Sequence, residues 1–350
     1  VTTAPPLTEA VDAALARALA HLASRSGGDG LWRDFRTLAG ASSDWVSGYV
    51  CDALSEVRAA EPLAGRAARR LVARQRGNGG WGYNRRVPTD ADSTAWVLVA
   101  LSSAAPWRPS AVLRGTRFLA RHQDAGGGLR TYDRDDGIHR FIAAPPEAVP
   151  GWAQPHICVT AAGLLALASH RYPDQDALAR AASYVRETRN DDGCWSGYWW
   201  TGIAYPTAMA LRALVAARAA PPALLRGVGD ALRDRAGRGR AWADDPGIGP
   251  SAFATALALR SLMLCGRGER DEAVHDAVGH LLDTQRPDGA WAGEPILRIP
   301  RPGDLEPGPE ALWRTDAPGT GVVVSDVNQV FGTATAIAAL ARYQELHRRR

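Results

Sequence analysis

Two kinds of apolar segment alternate along the chain. In the first, as in Ala95 to Ser102 and Val159 to Ala168, nearly every position is apolar. A helix of that composition has no face suited to water and must be surrounded by other helices. In the second, as in Ala64 to Arg76 and Asp271 to Gln285, apolar residues recur at three- and four-residue spacing among charged ones, which predicts amphipathic helices with one buried stripe. Strand-formers in period-two alternation are scarce. The pattern therefore predicts an all-α protein in which outer and inner helices alternate.

The inner segments repeat. Six times a Ser or Thr is followed by Ala or Gly and, seven positions on, by Leu: Ser47/Leu54, Thr94/Leu101, Thr160/Leu167, Thr207/Leu214, Thr255/Leu262 and Thr333/Leu340. Gly-x-Trp turns precede most of them, at Gly30-Leu31-Trp32, Gly79-Gly80-Trp81, Gly193-Cys194-Trp195 and Gly289-Ala290-Trp291, with Gly127-Gly128-Leu129 as a variant. Gln75, Gln123 and Gln285 each stand four residues before the Gly, and around Trp242 the copy is degenerate, with Arg240 in place of Gly. The anchors are separated by 47, 66, 47, 48 and 78 residues, a repeat of about 48 residues with two insertions, near 132–155 and 292–327, of the length seen for stacked helix pairs. An open stack needs polar capping repeats, yet the last inner segment, Phe331 to Tyr343, is as apolar as the middle ones. A closed (α/α)6 toroid of six helix pairs is expected, as one domain over residues 1–350.

Two positions before the anchors stand Trp45, Asp92, Cys158, Tyr205, Phe253 and Phe331. One carboxylate thus occupies a register that is otherwise mostly aromatic. A carboxyl in an apolar cavity stays protonated and can act as a strong general acid, and aromatic faces steady a cation at roughly 0.5–2 kcal/mol per contact. Trp199, Trp200 and Trp152, in the loops before the inner helices, extend this expected cavity wall. Asp90, and His156 in the equivalent register of the next inner helix, are expected partners of Asp92. The Gly-x-Trp tryptophans Trp32, Trp81, Trp195 and Trp291 read as packing residues.

The Gln-x-x-x-Gly-x-Trp turns resemble the repeats of squalene-hopene cyclases, class II diterpene cyclases and protein prenyltransferase β subunits, from about Thr8 to the C-terminus. Within Pro88-Thr89-Asp90-Ala91-Asp92-Ser93-Thr94-Ala95 the chain is similar to the Asp-x-Asp-Asp-Thr-Ala motif of the protonating cyclases. The resemblance implies that Asp92 is the proton donor and that Ser93 replaces the last Asp. Prenyltransferase β subunits hold a catalytic zinc with an Asp-x-Cys pair, which Asp192-Gly193-Cys194 resembles, but their His ligand falls on Gly332. No metal site is expected from these residues, and the four cysteines, Cys51, Cys158, Cys194 and Cys265, show no paired spacing.

A literal Asp-x-Asp-Asp at Asp133-Arg134-Asp135-Asp136 reads as a solvated loop, with Mg²⁺ binding on a substrate diphosphate as the functional alternative. Arg85 and Arg86, with Arg134, Arg140, Arg298, Arg301 and Arg314, are candidates for a phosphate group. All 41 basic side chains are Arg, and the net charge of +4 is spread along the chain, so nucleic-acid binding is not indicated. No stretch spans a bilayer and no signal pattern opens the chain, which leads to the expectation of a cytoplasmic protein.

The leading reading is a terpene cyclase that protonates an isoprenoid or prenylated small molecule and needs no cofactor, apart from Mg²⁺ if the substrate is a diphosphate. The resembling cyclases carry a second helical domain; three alternatives follow for this chain, namely a substrate small enough for a single toroid, a homodimer or partner subunit that completes the pocket, or a scaffold turned to other chemistry. Two other readings stay open: a non-catalytic toroid holding an apolar ligand or partner protein, and an acid-catalysed cyclase of a non-terpenoid metabolite.

Overall fold

The computed structural model describes residues 7–103, 108–236, 241–243, 249–268, 270–308 and 313–348. Six inner helices form a closed ring: α2 (Asp44–Ser55), α4 (Ala91–Ser103), α7 (Ile157–Ser169), α9 (Ala204–Ala216), α11 (Ala252–Leu264) and α13 (Val330–Arg348). Each packs on the next, and α13 packs on α2. Outside them lie α1 (Leu7–Arg25), α3 (Glu61–Val72), α5 (Pro109–His122), α8 (Gln175–Glu187), α10 (Pro222–Arg235) and α12 (Glu272–Thr284). This is the helical toroid that the apolar pattern predicts. The inner helices are buried on nearly every side, whereas the outer ones bury one stripe, as in α5 with Ala111, Gly115, Phe118, Leu119 and His122. No helix among the described residues is long and apolar enough to cross a membrane.

One junction, built six times, orients the ring. The anchor hydroxyl accepts the backbone N–H of the residue that ends the preceding turn: Trp32 to Ser47 at 2.9 Å, Trp81 to Thr94 at 2.9 Å, Leu129 to Thr160 at 2.7 Å, Trp195 to Thr207 at 3.1 Å, Trp242 to Thr255 at 3.1 Å and Trp291 to Thr333 at 3.4 Å. Each turn indole then donates to a carbonyl ten residues upstream, at Leu22, Leu71, Val185, Leu232 and Leu281. Those carbonyls belong to the last turns of the outer helices, which lack acceptable partners within the helix. The degenerate copy keeps both bonds at Trp242 although its turn differs; Arg240 itself lies outside the described residues.

The Gln of the turn ties each pair to the next. Gln75 donates to the carbonyls of Gly79 and Ala111, Gln123 to those of Gly127 and Ala177, and Gln285 to those of Gly289 and Ala14. The last of these joins the turn after α12 to the first helix, so ring closure reuses the internal contact. Arg114, Arg180 and Arg17 donate to the three Gln side chains in the same way.

Both insertions sit at the N-terminal end of the inner helices. The second contains a small sheet, which the scarcity of strand-formers did not predict: β5 (Pro295–Ile299) pairs antiparallel with β7 (Val322–Ser325), and β6 (Arg314–Thr315) pairs parallel with β7. Three consecutive valines, Val322 to Val324, supply its buried strand. The first insertion carries the short α6 (Ile138–Phe141) and latches onto the second through Gly151 N–H to Pro302 C=O at 2.9 Å and Trp152 Nε1 to Pro300 C=O at 3.0 Å. At the opposite end the bore is blocked by Asp52 of α2, gripped by Arg212 of α9 through two bonds of 2.8 Å, with Arg260 of α11 on Glu56 at 3.3 Å.

Gly289 has φ +84°, and a Cβ there would run into the carbonyl oxygen of Arg17; Gly266 has φ +82° with open space around it. Gly266→Ala should cost only the left-handed backbone penalty, ~1–2 kcal/mol. Gly289→Ala should cost a further ~1–3 kcal/mol of overpacking at the closure. Denaturant unfolding of the two variants checks this, and equal losses would show that the closure contact is slack.

Candidate active site

A two-stranded hairpin, β3 (Trp81–Gly82) with β4 (Thr89–Asp90), delivers the chain into α4. Asp90 ends the hairpin and caps the helix: its Oδ1 accepts the backbone N–H of Ser93 at 2.6 Å, and its Oδ2 accepts the Ser93 hydroxyl at 2.7 Å. Its backbone carbonyl accepts the anchor hydroxyl of Thr94 at 2.7 Å. Burial pushes the Asp90 carboxyl up to about 7, with the charge of Asp136 adding to the rise and the Ser93 bonds and His122 opposing it.

Asp92, one turn position further, is differently placed. It faces a cavity of ≈ 230 Å³ at the N-terminal end of the ring. What surface it retains is turned to that cavity, and its Oδ1 is buried without a hydrogen-bond partner. Burial raises its pKa well above the ordinary carboxylate value, and the charge of Asp90 raises it further; the indole N–H of Trp45 opposes this by approaching, although the two do not close a hydrogen bond. Burial thus disfavours ionisation of the Asp92 carboxyl, and one of its oxygens is uncommitted.

The wall of the cavity comes largely from segments other than the inner helices. Thr37, Leu38 and Ala39 belong to the hairpin of β1 (Asp34–Thr37) and β2 (Gly40–Ser42), while Tyr83 and Val87 precede α4. Tyr132, Ile138, Phe141, Ile142 and Trp152 come from the first insertion, and Leu297, Ile299, Gly319 and Thr320 from the second. Trp45 and Trp199 complete the aromatic lining, and Asp90, Ser93 and Thr131 its polar part. No basic side chain is among the described residues that line it. The signal missed in the sequence is the scatter of Tyr, Ile and Leu inside insertions that otherwise read as Pro-, Gly- and Arg-rich loops.

Several expected site residues stand elsewhere. Trp200, Tyr205, Phe253 and Phe331 do not line the cavity; they stack on one another beneath it, Trp200 on Tyr205 with centroids 3.6 Å apart, Trp200 on Phe331 at 5.4 Å and on Phe253 at 6.0 Å. Cys158 is buried beside them, also outside the lining. Small or flat side chains at one height of a narrow ring meet at its axis, so the register that predicts a wall produces a floor. Arg85 and Arg86 are exposed on the loop before β4 and contribute nothing to the lining.

His156 is not the partner of either aspartate. Its Nε2 donates to the Gly151 carbonyl at 2.9 Å and its Nδ1 accepts from the Thr131 hydroxyl at 3.0 Å, with the Trp199 indole N–H at 3.3 Å. Burial depresses it to about 3, so it is a neutral pin between the first insertion and α7. A second buried histidine, His122, stands at the end of α5. Its Nε2 meets Asp136 Oδ2 at 2.6 Å and its Nδ1 donates to the Phe118 carbonyl at 2.9 Å. Asp136 also accepts the Asp133 backbone N–H at 2.8 Å. The Asp133–Asp136 run is therefore no solvated loop at its last residue, and Asp136 is too engaged to hold Mg²⁺; the side chain of Arg134 lies outside the described residues.

The Asp192/Cys194 pair is likewise committed. Asp192 Oδ1 accepts the Cys194 N–H at 2.9 Å and its Oδ2 pairs with Arg235 at 2.7 Å, while Cys194 is fully buried. Among the described residues no three His, Cys, Asp or Glu side chains are grouped to hold a metal ion.

Solved structures similar to this chain include terpene cyclases. The type II terpene cyclase MstE from Scytonema, in complex with geranylgeranyl dihydroxybenzoate, superposes with a TM-score of 0.87 at 29% identity, over 97% of this chain and 99% of that one. An unsaturated glucuronyl hydrolase specific for heparin shares the fold alone, with a TM-score of 0.61 at 13% identity. Drimenyl diphosphate synthase of Streptantibioticus cattleyicolor is 30% identical over 297 residues, 80% of this chain and 48% of that protein. Squalene–hopene cyclase of Alicyclobacillus acidocaldarius is 29% identical over 238 residues, 62% of this chain and 37% of that protein. The chain thus spans about half or less of the length of these two curated relatives. Residues 83–299 match the family model of the squalene-hopene cyclase C-terminal domain, and the chain belongs to that family.

Proposed function

We propose that the protein cyclises an isoprenoid chain by protonating its terminal double bond with Asp92. The observation that carries this reading is the Asp92 carboxyl itself, buried against an apolar, aromatic-lined cavity with Oδ1 uncommitted. An alkene is a weak base, so its protonation needs an acid that remains undissociated until the substrate is in place. The proton adds to the CH carbon of the terminal trisubstituted alkene and leaves a tertiary cation on its dimethyl carbon, which successive double bonds trap as rings. Loss of a proton from a neighbouring C–H ends the sequence, so the product is an isomer of the substrate.

The rest of the site suits that chemistry. The carboxylate left on Asp92 lies in the first turn of α4, where unpaired backbone N–H groups favour negative charge. The faces of Trp45, Tyr83, Tyr132, Trp152 and Trp199 offer cation–π contact, and the lining carries few polar groups to trap the cation. With no basic residue in the described lining, the cavity takes the hydrocarbon part, and a polar head remains at the mouth, toward the loop of Arg85 and Arg86. A prenylated aromatic acid and a prenyl diphosphate both fit that division. His156 would hold the wall in place, and Asp90, tied to Ser93, would cap α4 beside the acid.

Two outcomes follow. Incubation with geranylgeranylated aromatic acids and with prenyl diphosphates should yield cyclic isomers, and Asp92→Asn should lower the rate by about 10²–10⁴-fold or more while leaving ligand binding near the wild-type level; cyclisation that survives the substitution removes Asp92 as the donor. The second outcome concerns stability. Asp90 titrates near 7 in the fold against an ordinary 3.8, so the folded protein keeps a proton that the unfolded chain releases. Its contribution is complete below about pH 4 and is lost as pH rises toward 7. Melting temperature should therefore fall across this window, and Asp90→Asn, which can still cap α4, should flatten part of the slope.

A further inference from the structure

The aromatic floor beneath the cavity has no part in the protonation step, yet it decides how far a hydrocarbon chain can enter. Most of the floor belongs to the inner helices. Trp200 does not: it precedes α9 and reaches into the bore from a loop. Trp199 and Trp200 point to opposite sides, as neighbours in an extended segment do. Trp199 lines the cavity, and Trp200 lies under it with 1% of its surface exposed.

The loop is fixed to β5 by a bridge between Trp200 and Leu297, by Thr201 N–H to Ile296 C=O at 3.0 Å and by Arg298 N–H to Trp199 C=O at 2.8 Å. The indole is clasped by Tyr205 at 3.6 Å and reaches Trp45, the cavity residue beside Asp92, at 5.9 Å. Deeper still, Tyr49 stacks on Phe331 at 3.8 Å and bonds to Thr335 at 2.7 Å, while Trp96 Nε1 donates to Tyr205 Oη at 3.0 Å. Below Trp200 the ring is therefore packed and hydrogen-bonded, so removal of its indole opens a space that stays dry and closed to solvent.

We propose that Trp200 is the stop that sets which double bond of the substrate meets Asp92, and is thus a specificity-determining residue of the cyclisation. With the indole in place, an isoprenoid tail that enters from the mouth ends at the level of Trp45 and Asp92, and its terminal alkene is the one protonated. With the indole removed, the tail descends by about one isoprene unit. The Asp92 proton then adds to the next alkene toward the head, the resulting cation closes on the alkenes that remain on the head side, and a C–H proton is lost at the end. The product is again an isomer of the substrate, with its terminal alkene intact and one ring fewer.

This inference rests on the cyclisation reading, and binding separates the two. Farnesol, geranylgeraniol and geranylfarnesol are titrated against wild type, Trp200→Ala and Trp200→Phe, with the near- and far-ultraviolet circular dichroism of each variant as the check of fold. Trp200→Ala should favour the next longer alcohol by about tenfold or more relative to wild type, from the additional buried methylenes, and Trp200→Phe should fall between. With a geranylgeranylated substrate, Trp200→Ala should release the isomer that keeps an acyclic tail. An unchanged length preference in folded variants overturns the stop, whether or not any of the proteins cyclise. Should Trp200→Ala not fold, Trp200→Leu and Trp200→Phe decide the same ratio. A shifted length preference without turnover in wild type would keep the stop and remove the cyclase.

Discussion

The whole architecture depends on a hydroxyl placed at the start of each inner helix. Because the Ser or Thr accepts a backbone N–H from the incoming turn, and does so inside the protein, each inner helix can start only where a turn has just been made. Six repetitions set six helices parallel, with their N-termini level. The aromatic residues two positions earlier then meet at one height, which is why Trp45, Tyr205, Phe253 and Phe331 pack together. The two long insertions necessarily emerge at that same end and close over it.

Placing buried carboxyls there carries a cost that the fold divides between two residues. Asp90 takes the structural part, capping α4 and receiving both Ser93 donors. Asp92 is left with an unengaged oxygen. A second Asp in place of Ser93 would put another buried negative charge beside Asp90, whereas the serine hydroxyl satisfies it. The His122–Asp136 hydrogen bond lies behind this cap, buried where the first insertion meets α5. Parallel helix N-termini favour negative charge at that level.

The ring was legible in the sequence because its determinants are local and periodic: hydroxyl, turn tryptophan and Gln all recur at fixed offsets. The acid stood out for the same reason, as an Asp in a register of aromatics. What could not be read was the difference between wall and floor. Tyr205 and Phe253 share a register with Asp92, but whether a side chain lines a cavity or fills the axis depends on ring diameter and on what the loops insert, here Trp200. His156 shows the same limit. Its register placed it at the right height, yet its two nitrogens were claimed by Thr131, at the edge of an insertion without any repeat, and by Gly151 inside it. His122 and Asp136, separated by 14 residues and on segments of different kind, carry no periodic signal at all.

The Asp52–Arg212 clasp at the far end of the ring gives the molecule the topology of a flask. Whatever enters headlast must leave headfirst, past the same latch between Gly151 and Pro302. A flexible hydrocarbon can thread such a neck, but a fused polycycle cannot bend to do so. Under the proposed cyclisation, departure of the rigid product would require the neck to open wider than arrival of the substrate, which would make the motion of the two rim loops a governor of turnover.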